Sequence, residues 1–224
     1  MLGFILSKLN LLILVMAIFA IVAFFAASLS DIAKVKEASE LTSKLKEQSF
    51  SLVTSPNYCF TDSYQIPDEL AIAGSSYYYV MKVSKNELDT EDGNTINVLI
   101  FSIFPRDEIK KAGGCAPKVD GYAPKAIAAD SFRTKADIHI FTQENYSGSD
   151  YGGKVVEQEY ACIDPQALNP KNSLEFVKEV VRGKTSFYVI GCEKEGAGCE
   201  IDREGVGNIV HPPPAPGSPG GFLC

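Results

Sequence analysis

The amino-acid sequence predicts an α+β protein in which one long N-terminal helix precedes an antiparallel, β-rich head stapled by disulfides. Three observations predict it. Phe4 to Ser55 contains neither Gly nor Pro, the two residues that most strongly break helices. From Pro56 onward the apolar residues fall in short runs bounded by Gly, Pro, Asn or Asp, the mark of strands and turns. All six cysteines, Cys59, Cys115, Cys162, Cys192, Cys199 and Cys224, lie in this second part, an even number as a disulfide framework requires.

The helical part covers residues 1–55 and would be ~78 Å long as a single helix over Phe4–Ser55. Its first half, residues 9–29, reads as a transmembrane segment. Leu11 to Leu29 (LLILVMAIFAIVAFFAASL) carries no charge, and with Leu9 and Asn10 it reaches about 20 residues, the length that crosses ~30 Å of hydrocarbon. Two other readings stay open: a secretory signal cleaved after Ser28, where Ala26-Ala27-Ser28 offers small residues, or a helix buried in protein. The stretch is longer than the roughly 7–15 apolar residues of a usual signal core. No cysteine precedes Cys59, so a lipobox-like acylation site is missing. The second half, residues 30–55, is an amphipathic stalk. Ile32, Val35, Ala38, Leu41, Leu45 and Leu52 follow near-heptad spacing, while Lys34, Lys36, Glu37, Glu40, Lys44, Lys46 and Glu47 take the other faces. The apolar stripe needs a partner, either the protein's own head or a neighbouring copy.

A very short leader ending Met1-Leu2-Gly3, then Phe4 and a hydrophobic helix that turns amphipathic before a β-rich head, resembles type IV pilins and the archaeal pilin-like proteins with class III signal peptides. The resemblance covers about the first 55 residues. It implies a pilin-like lollipop shape and cleavage by a prepilin peptidase between Gly3 and Phe4, with Phe4 as the mature first residue. The leader has no basic residue before the glycine, and Lys8 holds the fifth mature position, where bacterial pilins often carry glutamate. A lysine there does not neutralise a neighbour's new α-amino group as a glutamate does.

Charge and cysteine usage set the compartment. The chain carries a formal charge of −7, and Lys8 is the single charged residue among the first 30, so the remainder is more acidic still. A basic nucleic-acid binder is excluded. Lys8 and the α-amino group favour the short N-terminal side as cytoplasmic, although Lys34 and Lys36 dilute the bias. Cysteines confined to the part beyond the membrane segment indicate an oxidising, extracytoplasmic location. Asn145-Tyr146-Ser147 adds an N-glycosylation sequon at Asn145.

Residues 56–209 form the head. Strands are expected at Ser76–Val83, Thr95–Phe104, Ala136–Thr142, Lys154–Cys162 and Thr185–Cys192. One helix is expected at Ser173–Arg182, capped by Asn172 with Glu175, lined by Leu174, Val177 and Val181 and ended by Gly183. The resulting sheet would take the N-terminal rod against one face. Cys192 and Cys199 bracket the Gly-containing turn Glu193–Gly198, which makes them the best single disulfide pair. Pairing among Cys59, Cys115, Cys162 and Cys224 stays open. Residues 210–224, ending HPPPAPGSPGGFLC, form a Pro/Gly-rich extended or disordered tail. Cys224 at its end is a free thiol, an intermolecular disulfide or a clasp back to the head.

No constellation for catalysis emerges. The chain lacks a Gly-x-Ser-x-Gly elbow, a Walker-type loop and a Gly-x-Gly-x-x-Gly motif. His139 alternates with Ile138 and Ile140 on a strand and reads as a surface residue, and His211 adjoins the proline tail. With two histidines and no Cys-x-x-Cys, a zinc site is not expected. The acidic loop Asp89-Thr90-Glu91-Asp92-Gly93-Asn94 reads as a solvated hairpin turn rather than a calcium site. Tyr77-Tyr78-Tyr79, with Tyr146 and Tyr151, could make an exposed aromatic patch, but alternating packing explains the triplet with Tyr78 facing the core. The expected function is that of a non-enzymatic, membrane-anchored surface protein without cofactor or metal, a pilin-like subunit of a filament or surface assembly. Its partners would be membrane lipid and, through the helix, copies of itself or other pilin-like subunits. The alternative is a solitary bitopic protein whose extracytoplasmic domain binds a ligand or partner.

Overall fold

The computed structural model describes residues 2–72, 75–89, 95–115, 123–142, 159–166 and 171–193. The N-terminal part is one unbroken helix, α1 (Leu2–Thr54), in keeping with the absence of Gly and Pro from Phe4 to Ser55. Its second half is built into the head. Ala38, Leu41, Leu45 and Leu52 are buried, and their three- and four-residue spacing places them on one helical face. Of the predicted stripe, Ile32 and Val35 stay exposed, at 64% and 47%. The partner of the buried stripe is therefore the protein's own head.

The head contains two four-stranded sheets and a two-stranded ribbon. The first sheet has the order β1 (Cys59–Gln65), β9 (Lys171–Val181), β10 (Lys184–Glu193), β7 (Asp137–Thr142). The second has the order β6 (Ala128–Thr134), β5 (Thr95–Pro105), β4 (Tyr79–Asp89), β8 (Tyr160–Ile163). β2 (Leu70–Ile72) and β3 (Ser75–Tyr77) form the ribbon. Alternate residues of both sheets face one core: Leu174, Phe176, Phe187, Val189, Ile138 and Ile140 meet Met81, Val83, Leu99, Phe101, Ile103 and Phe132. Phe101 and Phe176 touch edge to face across the two sheets, with centroids 6.4 Å apart. α1 closes the side between edge strands β6 and β1. Lys46 reaches Asp130 of β6 at 2.9 Å, and the Gln48 amide donates to Asp62 of β1 at 2.5 Å.

Two expectations are overturned. The span Ser173–Arg182 is not a helix: Ser173 to Val181 is most of β9, and Arg182 begins the turn that follows. Its residues alternate as a strand, Leu174 and Phe176 facing the core while Val177 faces the other way, and Gly183 ends a hairpin rather than a helix. Arg182 (φ 51°) and Gly183 (φ 80°) are the two central residues between β9 and β10, the left-handed pair that a two-residue type I′ turn requires. Nor is the head wholly antiparallel, because β7 runs parallel to β10, with Asp137 opposite Ser186. Only Lys135 and Ala136 separate β6 from β7, yet those strands lie in different sheets. The chain turns a corner there, held by the Asn97 amide donating to the Ala136 carbonyl at 2.9 Å. The corner delivers β7 to the first sheet at the end where β10 begins, so both run the same way.

A second helix, α2 (Arg106–Ala112), was not expected. It follows Pro105, carries Asp107 and Glu108 in its first turn and Lys110 and Lys111 in its last, and ends on Gly113 at φ 73°, all standard helix punctuation. Ile109 packs with Val80, Phe104 and Cys115 on the outer face of the second sheet.

Candidate functional site

The feature that sets this molecule apart is the free half of α1. Every residue from Lys8 to Ala26 is exposed, including Leu11, Leu14, Phe19, Val22 and Phe25. This is one helix near the N-terminus that is apolar and long enough to span a membrane, and none of its most apolar stretch is covered by the head. In water such a surface would associate. Gly3 and Phe4, the expected processing point, lie in the first turn of α1.

Polar residues begin where the apolar segment ends. Asp31 pairs with Lys34 at 2.9 Å, and the Lys34 ammonium stands over the Tyr77 ring, 5.5 Å from its centroid. Burial pushes the Tyr77 phenol up, and Asp107, Asp31 and Glu108 nearby push it further, since a phenolate would be repelled by them. The ribbon β2–β3 thus packs on α1 where it enters the head, and the acidic start of α2 lies close enough to act on Tyr77. Arg106 ties this region down: its Nε donates to Asp164 at 3.1 Å and its Nη2 to the Gln166 carbonyl at 2.6 Å.

The tyrosine triplet differs from expectation. Tyr79, not Tyr78, faces the core; it is fully buried, and its hydroxyl donates to the Pro67 carbonyl at 2.6 Å. Burial raises its phenol far above the ordinary range. Tyr78 is 48% exposed, because the chain breaks between β3 and β4 at this residue and the alternation restarts.

At the opposite end of the head, α1 stops at Thr54, and the buried Lys178 of β9 donates from Nζ to the Ser55 carbonyl. Its ammonium compensates the negative end of the helix dipole, while burial lowers its pKa. Lys178 lies in the span whose sequence predicts a helix, Ser173–Arg182, a reading that gives it no role. A groove of about 440 Å³ lies at the end of α1, lined by Thr54, Lys135, Asp137, Gly183 and Lys184 among others.

Cys115 and Cys162 form a disulfide, which joins the segment after α2 to β8. Cys59, on β1, is also disulfide-bonded. The Cys192 side chain, Cys199 and Cys224 lie outside the described residues, and so does the expected Cys192–Cys199 pair. Asn145, Tyr146, Tyr151, His211 and Thr90–Asn94 lie outside them too. His139 is stacked on Tyr188, with ring centroids 4.8 Å apart. Among the described residues, no three His, Cys, Asp or Glu side chains come together as metal ligands. No protein-family model, curated protein or solved structure matches the chain.

Proposed function

We propose that this chain is a non-enzymatic, membrane-anchored surface protein of pilin-like architecture, with α1 as both anchor and assembly element and the β-rich head outside the cytoplasm. One observation carries the reading: the apolar half of α1 projects free of the head, while the other half of the same unbroken helix is a wall of the head's core. Anchor and head are thereby one rigid piece. Before assembly the segment Leu11–Leu29 would bury its side chains in lipid; within a filament it would bury them against the helices of other subunits. The Cys115–Cys162 disulfide supports an oxidising compartment for the head, and Lys8 supports a cytoplasmic N-terminus. The sequon at Asn145 would then face a glycosylating environment.

Lys8 in the position of the usual glutamate favours a second reading, a solitary bitopic protein whose head binds a partner. Both readings share the anchor. Alkaline carbonate washing of native membranes should leave the chain in the pellet, and protease added to intact cells should remove the head. Release by carbonate would refute the anchor; a head that resists protease on intact cells and is cut only after lysis would refute the orientation. Recovery of the chain in filaments sheared from the cell surface separates the subunit from the solitary anchor.

A further inference from the structure

Because α1 is unbroken, a position along it is a height above the apolar segment. Lys34 stands five positions beyond Leu29, about 7.5 Å along the axis. The headgroup layer on each side of a bilayer is itself ~5–7 Å deep. With Leu11–Leu29 in hydrocarbon, Lys34 is therefore at the outer boundary of the headgroups. Helical side chains lean toward the N-terminus, so the Lys34 ammonium reaches toward that layer, and the Tyr77 ring is 5.5 Å from it. Tyr78 comes next, 48% exposed, and its carbonyl accepts the Arg106 N–H at 3.3 Å, which brings the start of α2 to the same region. A helix tilt of ~20°, typical in membranes, lowers a point ~10 Å off the axis by roughly 3 Å more.

The charges here balance. Asp31 pairs with Lys34 and Glu108 with Lys111, while exposed Asp107 and Lys110 add one of each sign. Such a surface suits zwitterionic headgroups and gains little from anionic lipid. An exposed tyrosine beside it matches the preference of that side chain for the membrane–water interface.

We propose that the β3–β4 junction and α2 form a floor that rests in the headgroup layer of the bilayer that α1 crosses, with Tyr78 as its interfacial aromatic. This rests on the membrane-anchor reading and fixes how the head stands on its anchor: seated on lipid, not held away on a stalk.

The chain contains no Trp, so a single substitution gives a unique fluorophore. Full-length Tyr78→Trp, Phe19→Trp and Tyr58→Trp proteins are reconstituted in phosphatidylcholine vesicles carrying a nitroxide on the headgroup or bromine deep in the acyl chains. Phe19 is inside the apolar segment. Tyr58 is 76% exposed and follows the far end of α1, which is ~37 Å above Leu29. The proposal expects Tyr78→Trp to lose roughly half its emission to the headgroup nitroxide, Phe19→Trp to respond to the deep bromine, and Tyr58→Trp to respond to neither. Asp107→Trp, on α2, provides a second floor probe and should follow Tyr78→Trp. If Phe19→Trp is quenched while both floor probes behave like Tyr58→Trp, the floor is overturned and the anchor stands. Unquenched Phe19→Trp overturns the anchor and the floor with it. Floor quenching that requires anionic lipid overturns the balanced-charge argument for a zwitterionic surface.

Discussion

Replacing Leu45 by Ala removes a side chain that is fully buried where α1 meets the core shared by both sheets. The substitution deletes three carbons, worth about 2.4 kcal/mol at ~0.8 kcal/mol per buried CH2. A residual void of some tens of cubic ångströms adds roughly 1 kcal/mol, for a loss of about 3–4 kcal/mol. With a urea dependence near 2 kcal/mol per molar, the unfolding midpoint should fall by ~1.5–2 M. The control is Ile32→Ala, about three and a half turns nearer the apolar segment and 64% exposed, which should change stability by less than ~0.5 kcal/mol. Both are measured by urea unfolding of the full chain in detergent micelles, followed by the near-UV circular dichroism of its tyrosines. Equal shifts for the two variants would mean that α1 merely lies against the head, and the reasoning that makes it a wall of the core would fail.

Three other outcomes follow from the same geometry. Removing the Cys115–Cys162 disulfide by substituting both cysteines with Ala frees a loop closed across a sequence separation of 47, which should cost ~4 kcal/mol by loop entropy; an unchanged urea midpoint would refute that. Gly183→Val forces a β-branched residue into φ 80° and should destabilise the β9–β10 hairpin by about 1–2 kcal/mol; an unchanged urea midpoint would refute the left-handed turn. Tyr79 governs the alkaline limit. Its folded phenol titrates above the unfolded value near 10, so its contribution is fully present below pH ~10 and is lost as pH rises beyond it. In an absorbance titration its phenolate should appear together with unfolding, and Tyr79→Phe should remove one phenolate from that cooperative step.

The long helix was legible because its signal is compositional: a span free of Gly and Pro whose charges, Lys8 apart, begin only at Asp31. Strands β4, β5, β7 and β10 were legible because each is a β-rich apolar run between turn residues. β9 was not, since Leu174, Val177 and Val181 follow the three- and four-residue spacing of a helix, and Gly183 serves equally as helix stop and turn. The phrase Arg182-Gly183 between two apolar runs held the hairpin signal. The Pro105-to-Gly113 stretch carries the marks of α2, but seven residues are too few for an apolar period to show. The parallel pairing of β7 with β10 depends on a corner two residues long and on contacts distant in sequence, which periodicity does not encode. Similarly, Cys115 and Cys162 are partners because α2 packs on the outer face of the second sheet, a tertiary fact. For the site, the apolar segment was visible and its neighbours were not: Lys34 over Tyr77, and the exposed Tyr78, follow from how the ribbon wraps α1.

The central claim is that α1 stays attached to the head as a processed, membrane-held rod. Mass spectrometry of the N-terminal peptide of protein purified from its native membrane tests it most directly. The chain should begin at Phe4, with Lys8 and the whole apolar segment retained. An intact Met1 would leave the solitary anchor in place of the pilin-like subunit, and a chain beginning at Leu29 would contradict the anchor itself.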